Sequence, residues 1–252
     1  MLELKKELEK IKDSFSRISE IIYQTPVLSS ISINKALKAD ITFKAECLQE
    51  TGSFKLRGAS SAISLLSEEE KSRGVVAFSS GNHAQGVAYA SRELGTSAKI
   101  VMPSDAPKIK IRKTQEYGAE VIFYDRDEDD REEIGFSIAM EEGRKLIKPF
   151  DDLNVIYGQG TAALEVMHVV DTKFDISVVC CSGGGLAAGT GIVLKNSLSD
   201  CQLYTAEPKD WNDHEKSFLQ NNIVSIKTKK HGMCDALENP QPGEILSLIH
   251  IW

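Results

Sequence analysis

The residues best suited to covalent chemistry surround a lysine at the start of an apolar, helix-like segment. Residues 51–58 read Thr-Gly-Ser-Phe-Lys-Leu-Arg-Gly, so Lys55 stands where a polar loop gives way to an apolar run. A lysine amine held away from water is a nucleophile that can form a Schiff base with a carbonyl compound. Most lysines are instead solvated surface charges, and this motif alone leaves both interpretations of Lys55 open.

A glycine loop follows after two thirds of the chain. Residues 182–186 read Ser-Gly-Gly-Gly-Leu and separate an apolar strand-like run from a helix-like one. Glycines allow backbone N–H groups to converge beside a helix N-terminus, which makes a cradle for phosphate. The segment also fits a dinucleotide fingerprint, Gly183-x-Gly185-x-x-Ala188, with Glu207 placed as a ribose-binding acid. A phosphate-bearing cofactor, a dinucleotide and a purely structural turn are the alternatives.

A polar loop offers hydrogen-bond donors to a small anion. It follows the apolar run 75–78 and precedes a helical pattern, and its candidate substrate-binding residues are Ser79, Ser80, Gly81, Asn82 and His83. Hydroxyl, amide and helix N-terminal donors suit a carboxylate. The alternative is that Ser80 or Asn82 only caps the helix.

Two carboxylates near the end of the chain are spaced to approach one hard cation. Glu207 and Asp213 are the acids, and Trp211 lies between them. Carboxylate and backbone carbonyl oxygens are the ligands that Mg²⁺ and Ca²⁺ prefer.

The elements that position these residues alternate between strand and helix. Apolar β-rich runs occur at 41–45, 75–78, 98–102, 120–124, 176–181 and 202–206, and helical patterns at 54–66, 83–94, 108–117, 131–146, 160–170 and 186–198. This alternation predicts an α/β fold with parallel sheets covered by helices. Residues 74–149 are expected to form a small lobe inserted into a large lobe made of residues 1–73 and 150–245.

Composition narrows the class of protein. The 252 residues carry a net charge of -7 and 41% hydrophobic residues, which suit a globular protein without a nucleic-acid footprint. The charged N-terminal helix pattern has no signal-peptide core, and no apolar run is long enough to predict a membrane span. Five cysteines, an odd number without a CxxC pair, favour a reducing cytoplasmic location.

Taken together and in this order, the three motifs resemble those of the fold-type II pyridoxal-phosphate enzymes, close to the serine/threonine ammonia-lyases (threonine dehydratases) and serine racemases. The resemblance covers residues 15–245. It rests on residues 53–58, on Ser-Gly-Asn-His at 80–83 and on the glycine loop at 182–186. It implies a two-lobed parallel-sheet fold of the tryptophan synthase beta-like kind.

The resemblance implies a role for each motif residue. Lys55 would carry pyridoxal 5'-phosphate as a Schiff base, Phe54 would pack beside the ring and Asn82 would bond the 3'-oxygen. The phosphate would lie on Ser182, Gly183, Gly184, Gly185 and Leu186. Lys55 and Ser80 would be the catalytic residues on opposite faces of the cofactor, and Glu207, Asp213 and the Trp211 carbonyl would match a Mg or Ca site.

The implied activity is dehydration of L-threonine or L-serine to a 2-oxo acid and ammonia. Serine racemase and threo-3-hydroxyaspartate ammonia-lyase are alternatives within the family, and a NAD-type dinucleotide-binding protein or an inactive fragment are alternatives outside it. A small amino acid is the expected partner, with neither nucleic acid nor membrane, and the full-length protein is expected to be a homodimer.

The sequence departs from the family pattern at three places. Ser182 replaces the first of four common glycines, and Cys234-Asp235-Ala236 replaces an Ala-Asp-Gly-like turn. The family's hydroxyl residue at the pyridine nitrogen would lie beyond Ile245. Residues 246–252 resemble a translated sequencing adapter, so we expect a non-native tail on a C-terminally truncated chain.

Overall fold

The computed structural model describes residues 2–170, 173–228 and 232–245 of the chain. Strands and helices alternate along most of it, as the sequence predicts. The helices are α1 (Leu2–Ile18), α2 (Ile31–Leu37), α3 (Lys55–Ile63), α4 (Glu68–Arg73), α5 (Asn82–Glu93), α6 (Lys108–Glu116), α7 (Arg131–Glu142), α8 (Leu153–Val169), α9 (Gly185–Ser197) and α10 (Asp213–Gln220). The strands are β1 (Val27–Ser29), β2 (Thr42–Lys44), β3 (Val75–Phe78), β4 (Ala98–Pro103), β5 (Glu120–Tyr124), β6 (Lys145–Leu146), β7 (Ile176–Cys180) and β8 (Gln202–Ala206).

The central sheet has four parallel strands in the order β5-β4-β3-β6. Every residue of β3 is buried, which explains its uninterrupted apolar sequence, because helices cover both faces of such a sheet. The bounds predicted for β3 and β5 are confirmed. All four strands lie within the predicted small lobe, whose boundaries stay a prediction. The predicted α/β fold class with a parallel sheet is confirmed.

Two shorter sheets lie outside this one. β7 and β8 pair in parallel, and β1 and β2 pair antiparallel. The prediction that residues 41–45 join a parallel sheet is therefore wrong. Residues 30–41, which include the seven-residue α2, connect β1 to β2, and the chain returns beside β1 as an antiparallel strand.

Helix bounds differ from the prediction mainly at glycines. The helix predicted at 160–170 begins instead at Leu153, where the Asp152 side chain caps its N-terminus. The glycines at 158 and 160 look like a break in the local pattern, but Gly158 serves close packing: an added β-carbon would lie 2.4 Å from the Arg57 carbonyl oxygen. The helix predicted at 131–146 ends at Glu142, because Gly143 adopts a left-handed conformation and β6 follows.

Two further predictions concern membrane spans and the state of the cysteines. No helix in the described ranges is both long and apolar enough to cross a membrane. All five cysteines have free thiols, and Cys181 and Cys201 are buried. The predicted tail at residues 246–252 lies outside the described residues.

Candidate active site

Lys55 is the first residue of α3 and points its amine toward the chain that follows β6. Its Nζ donates a hydrogen bond to the Pro149 carbonyl oxygen at 2.7 Å and lies 5.4 Å from the centre of the Phe54 ring. Burial lowers the Lys55 pKa from 10.5 to about 8, although the nearby Cys180 thiol acts in the opposite direction. A substantial fraction of this amine is therefore neutral, and nucleophilic, near physiological pH.

Two buried hydroxyl groups precede this lysine. The side chains of Thr51 and Ser53 are almost fully buried, and neither oxygen has a hydrogen-bond partner within the described residues. Gly52 between them has a φ of +75°, which permits the sharp turn into α3. Buried hydroxyls rarely lack partners, so this turn presents donors suited to a polar ligand beside Lys55.

The predicted carboxylate loop lies next to the same lysine. It connects β3 to α5, and α5 packs so closely on the start of α3 that a β-carbon at Gly86 would come within 3.0 Å of the Lys55 carbonyl carbon. Asn82 begins α5, and Ser79 and Ser80 are partly buried at the end of β3. The loop and the lysine are therefore brought together as the sequence predicts.

His83 has an orienting role rather than a proton-transfer role. Its ring Nε2 lies 2.9 Å from the Ile147 carbonyl oxygen, a geometry in which Nε2–H is the donor. Burial, and then the neighbouring Lys55, lower the His83 pKa to about 3. The imidazole is consequently neutral at physiological pH and fixes the loop against the chain after β6.

The glycine loop joins the site through an aromatic ring. Gly184 has a φ of +94°, and α9 begins directly after it, so its first N–H groups have no side-chain cap. A β-carbon at Gly183 would lie 2.2 Å from the Phe150 ring. The loop can therefore follow this path only with glycine at 183, and the helix N-terminus without a side-chain cap suits an anion such as phosphate.

The segment from Ile147 to Phe150 is the part of the site that the sequence motifs missed. Its carbonyl groups accept hydrogen bonds from His83 and Lys55, and its aromatic ring supports the glycine loop. No motif marks it in the sequence. The one available signal was Pro149, because a proline commonly ends a strand.

The predicted cation ligands adjoin the glycine loop. Asp213 is fully buried, and neither of its oxygens has a hydrogen-bond partner in the described part of the chain. Burial raises its pKa to about 7, and repulsion from Glu207 contributes in the same direction. Trp211 ends a 3₁₀ turn just before α10. The unsatisfied oxygens of Asp213 beside a second acid, Glu207, fit a cation, although the described residues contain no cluster of three or more His, Cys, Asp or Glu side chains that could hold one.

Glu207 has a structural role that bears on the dinucleotide alternative. Its two oxygens accept hydrogen bonds from the backbone N–H groups of His214 and Glu215, at 2.9 and 3.0 Å. The carboxylate thus caps the N-terminus of α10. Any ligand at Glu207, whether a ribose hydroxyl or a cation, would have to share these oxygens with the helix.

Known proteins match this chain over most of its length. The family described as pyridoxal-phosphate dependent enzyme matches residues 18–250. An L-threo-3-hydroxyaspartate ammonia-lyase from Saccharomyces cerevisiae is 43% identical over 93% of this chain and 71% of its own, and a serine racemase from Schizosaccharomyces pombe is 42% identical over 88% and 68%. The crystal structure of a threonine deaminase from T.th. superposes with a TM-score of 0.87 at 36% identity, covering 94% of this chain and 76% of that one.

Proposed function

The chain belongs to the pyridoxal-phosphate-dependent enzyme family, and on that premise we propose that it is an ammonia-lyase that dehydrates L-threonine or L-serine to a 2-oxo acid and ammonia. The observation that carries the proposal is Lys55, an amine with a lowered pKa beside a carboxylate-binding loop and a phosphate-type glycine loop. The related enzymes named for hydroxyaspartate and threonine support a β-hydroxy amino acid as substrate.

The residues present fit pyridoxal phosphate. Lys55 would hold the aldehyde carbon through its ε-amino group, with Phe54 beside the ring and Asn82 at the 3'-oxygen. The N–H groups of the loop at 182–186 would hold the phosphate, and Ser182 retains a hydroxyl donor where the family has glycine. When bound, the cofactor withdraws electrons from the substrate Cα and so acidifies its proton.

Proton transfer and substrate orientation are then left to the protein. The loop at 79–83 would bind the substrate carboxylate, with neutral His83 keeping the loop in place. Lys55, partly neutral at physiological pH, would remove the Cα proton. The β-hydroxyl group would leave as water by taking up the equivalent of the proton that Lys55 removed, and the released enamine would hydrolyse to the 2-oxo acid and ammonia.

Serine racemisation is the second candidate. Ser80 lies in the loop next to Lys55, and a hydroxyl on the opposite face of the substrate would return the proton to Cα with inverted configuration. The relatives named serine racemase favour this activity. A 3-hydroxyaspartate lyase activity differs from the main proposal only in the substrate side chain.

A divalent cation belongs to the same proposal. Glu207, Asp213 and the Trp211 carbonyl would hold Mg²⁺ or Ca²⁺, and the positive charge would relieve the repulsion between buried Asp213 and partly buried Glu207. We also propose a homodimer in the full-length protein and a cytoplasmic location, which sedimentation and cell fractionation would test.

The experiment is an assay of the chain reconstituted with pyridoxal phosphate. We expect 2-oxo acid from threonine or serine, and loss of both turnover and the visible cofactor absorbance in Lys55→Ala. Chiral analysis of serine tests racemisation, which Ser80→Ala should abolish while some dehydration remains. A visible band that persists in Lys55→Ala would contradict the role of Lys55, and unchanged racemisation in Ser80→Ala would contradict the role of Ser80.

A further inference from the structure

We infer that Lys110 provides the positive charge that binds the substrate carboxylate, and that Asp235 is an exchangeable counter-ion that pairs with the Lys110 ammonium group when substrate is absent. The inference rests on the proposed function for the identity of the carboxylate. It assigns a recognition role to two residues that none of the three motifs contains.

The position of Lys110 carries the inference. Lys110 lies in the first turn of α6, and its side chain extends across the backbone of Gly81 in the carboxylate loop. A β-carbon at Gly81 would lie 3.2 Å from both Cδ and Nζ of Lys110. The ammonium group is therefore in contact with the loop at the N-terminus of α5, where a bound carboxylate would lie.

The loop itself is uncharged. Its side-chain donors are hydroxyl and amide groups, and His83 is neutral because burial lowers its pKa to about 3. Hydrogen bonds from charged donors to a carboxylate are roughly twice as strong as those from neutral donors. Lys110 adds such a donor to the neutral loop.

The Lys110 ammonium group also forms an ion pair with Asp235. Asp235 is the first residue of a 3₁₀ turn that comes after α10 in the chain. Its Oδ2 lies 3.1 Å from Lys110 Nζ. The Asp235 side chain is 66% exposed, whereas that of Lys110 is 25% exposed. Ion pairs with an exposed partner contribute little to stability, so an incoming carboxylate can replace Asp235 without a large cost.

The two partners consequently have opposite predicted effects on substrate affinity. Lys110→Met should raise KM for serine or threonine by about tenfold or more, the usual effect of losing a charged hydrogen bond. Asp235→Asn should lower KM, because it removes the competing anion. In a Lys110→Met background, Asp235→Asn should have no effect, which a double-mutant cycle measures as coupling.

The experiment uses the chain loaded with pyridoxal phosphate and two readouts. Steady-state assays separate KM from kcat, and Lys113→Met, an exposed lysine on the same helix, is the control for loss of charge. Unfolding temperature in propionate, compared with equal chloride, reports carboxylate binding without turnover. We expect propionate to stabilise wild type and Lys113→Met, and to stabilise Lys110→Met less.

The outcomes separate the two claims. Equal propionate stabilisation of wild type and Lys110→Met would overturn the role of Lys110, as would a KM increase that Lys113→Met reproduces. An effect of Asp235→Asn that persists in the Lys110→Met background would overturn the exchange. If wild type turns over none of the amino acids but its propionate response requires Lys110, the proposed reaction fails and the carboxylate site stands.

Discussion

Lys55 connects the stability of the chain to its chemistry. Burial lowers its pKa in the folded state to about 8, whereas an exposed lysine in the unfolded chain has a pKa near 10.5. Well below pH 8 the amine is protonated in both states, and well above pH 10.5 it is neutral in both. Between these limits the unfolded chain binds more protons, so this residue makes stability rise with pH.

A pH series on the cofactor-free chain tests this sign. The free energy of unfolding of wild type, minus that of Lys55→Met, should increase by about 3 kcal/mol from pH 8 to pH 10.5. Denaturant titrations of both proteins at each pH measure the difference, and the subtraction removes the contribution of other titrating groups. A flat or falling difference would show that the Lys55 amine is not buried.

At the scale of secondary-structure elements, a group of four charges, two of them fully buried, connects α3 to its neighbours. Arg57 and Glu165 are fully buried, and they form a paired contact of 2.7 and 2.9 Å between α3 and α8. Glu46 also binds Arg57, and Lys44 at the end of β2 binds Glu165. Because Arg57 lies two residues after Lys55, this group fixes the turn of α3 that carries the candidate catalytic amine.

Neutralising one member of this group should destabilise the fold strongly. Glu165→Gln leaves the positive charges of buried Arg57 and partly buried Lys44 undercompensated, so we expect a loss of about 3 to 5 kcal/mol in the free energy of unfolding. Glu9→Gln is the matched control, since it breaks an exposed pair with Lys12 on α1 and should cost less than about 1 kcal/mol. Chemical denaturation measures both; similar losses would contradict the importance of burial.

Local sequence patterns predicted some of the elements of this site but not all of them. Local patterns located β3, β5 and the three loops, because strand runs, glycines and helix starts depend on neighbouring residues. The contribution of Pro149 and Phe150 could not be predicted, since it depends on contacts with residues about 94 and 33 positions away in the chain. The start of α8 was missed for the same reason. Its glycines permit close packing against another helix, whereas in the sequence alone the same glycines indicate a helix break.

At the scale of the whole molecule, hydrogen bonds connect the acid pair, Glu207 and Asp213, to the glycine loop. The His214 ring Nε2 lies 2.6 Å from the Ser182 carbonyl oxygen, and the His214 backbone N–H is bonded to Glu207. The N-terminus of α10 thus connects the candidate cation ligands to the loop proposed to bind phosphate. A cation that draws Glu207 and Asp213 together would restrict the path of that loop.

Divalent cations should therefore tighten cofactor binding, and the coupling must be reciprocal. At pH 8, above the Asp213 pKa of about 7, we expect Mg²⁺ or Ca²⁺ to lower the Kd for pyridoxal phosphate by about fivefold or more, the lower range of typical couplings. Absorbance titrations with the cation or with a chelator measure this change. Asp213→Asn should remove the cation dependence, whereas Asp200→Asn, which alters an exposed acid before β8, should retain it. A Kd that chelation leaves unchanged in wild type would show that the acid pair does not communicate with the glycine loop through a bound cation.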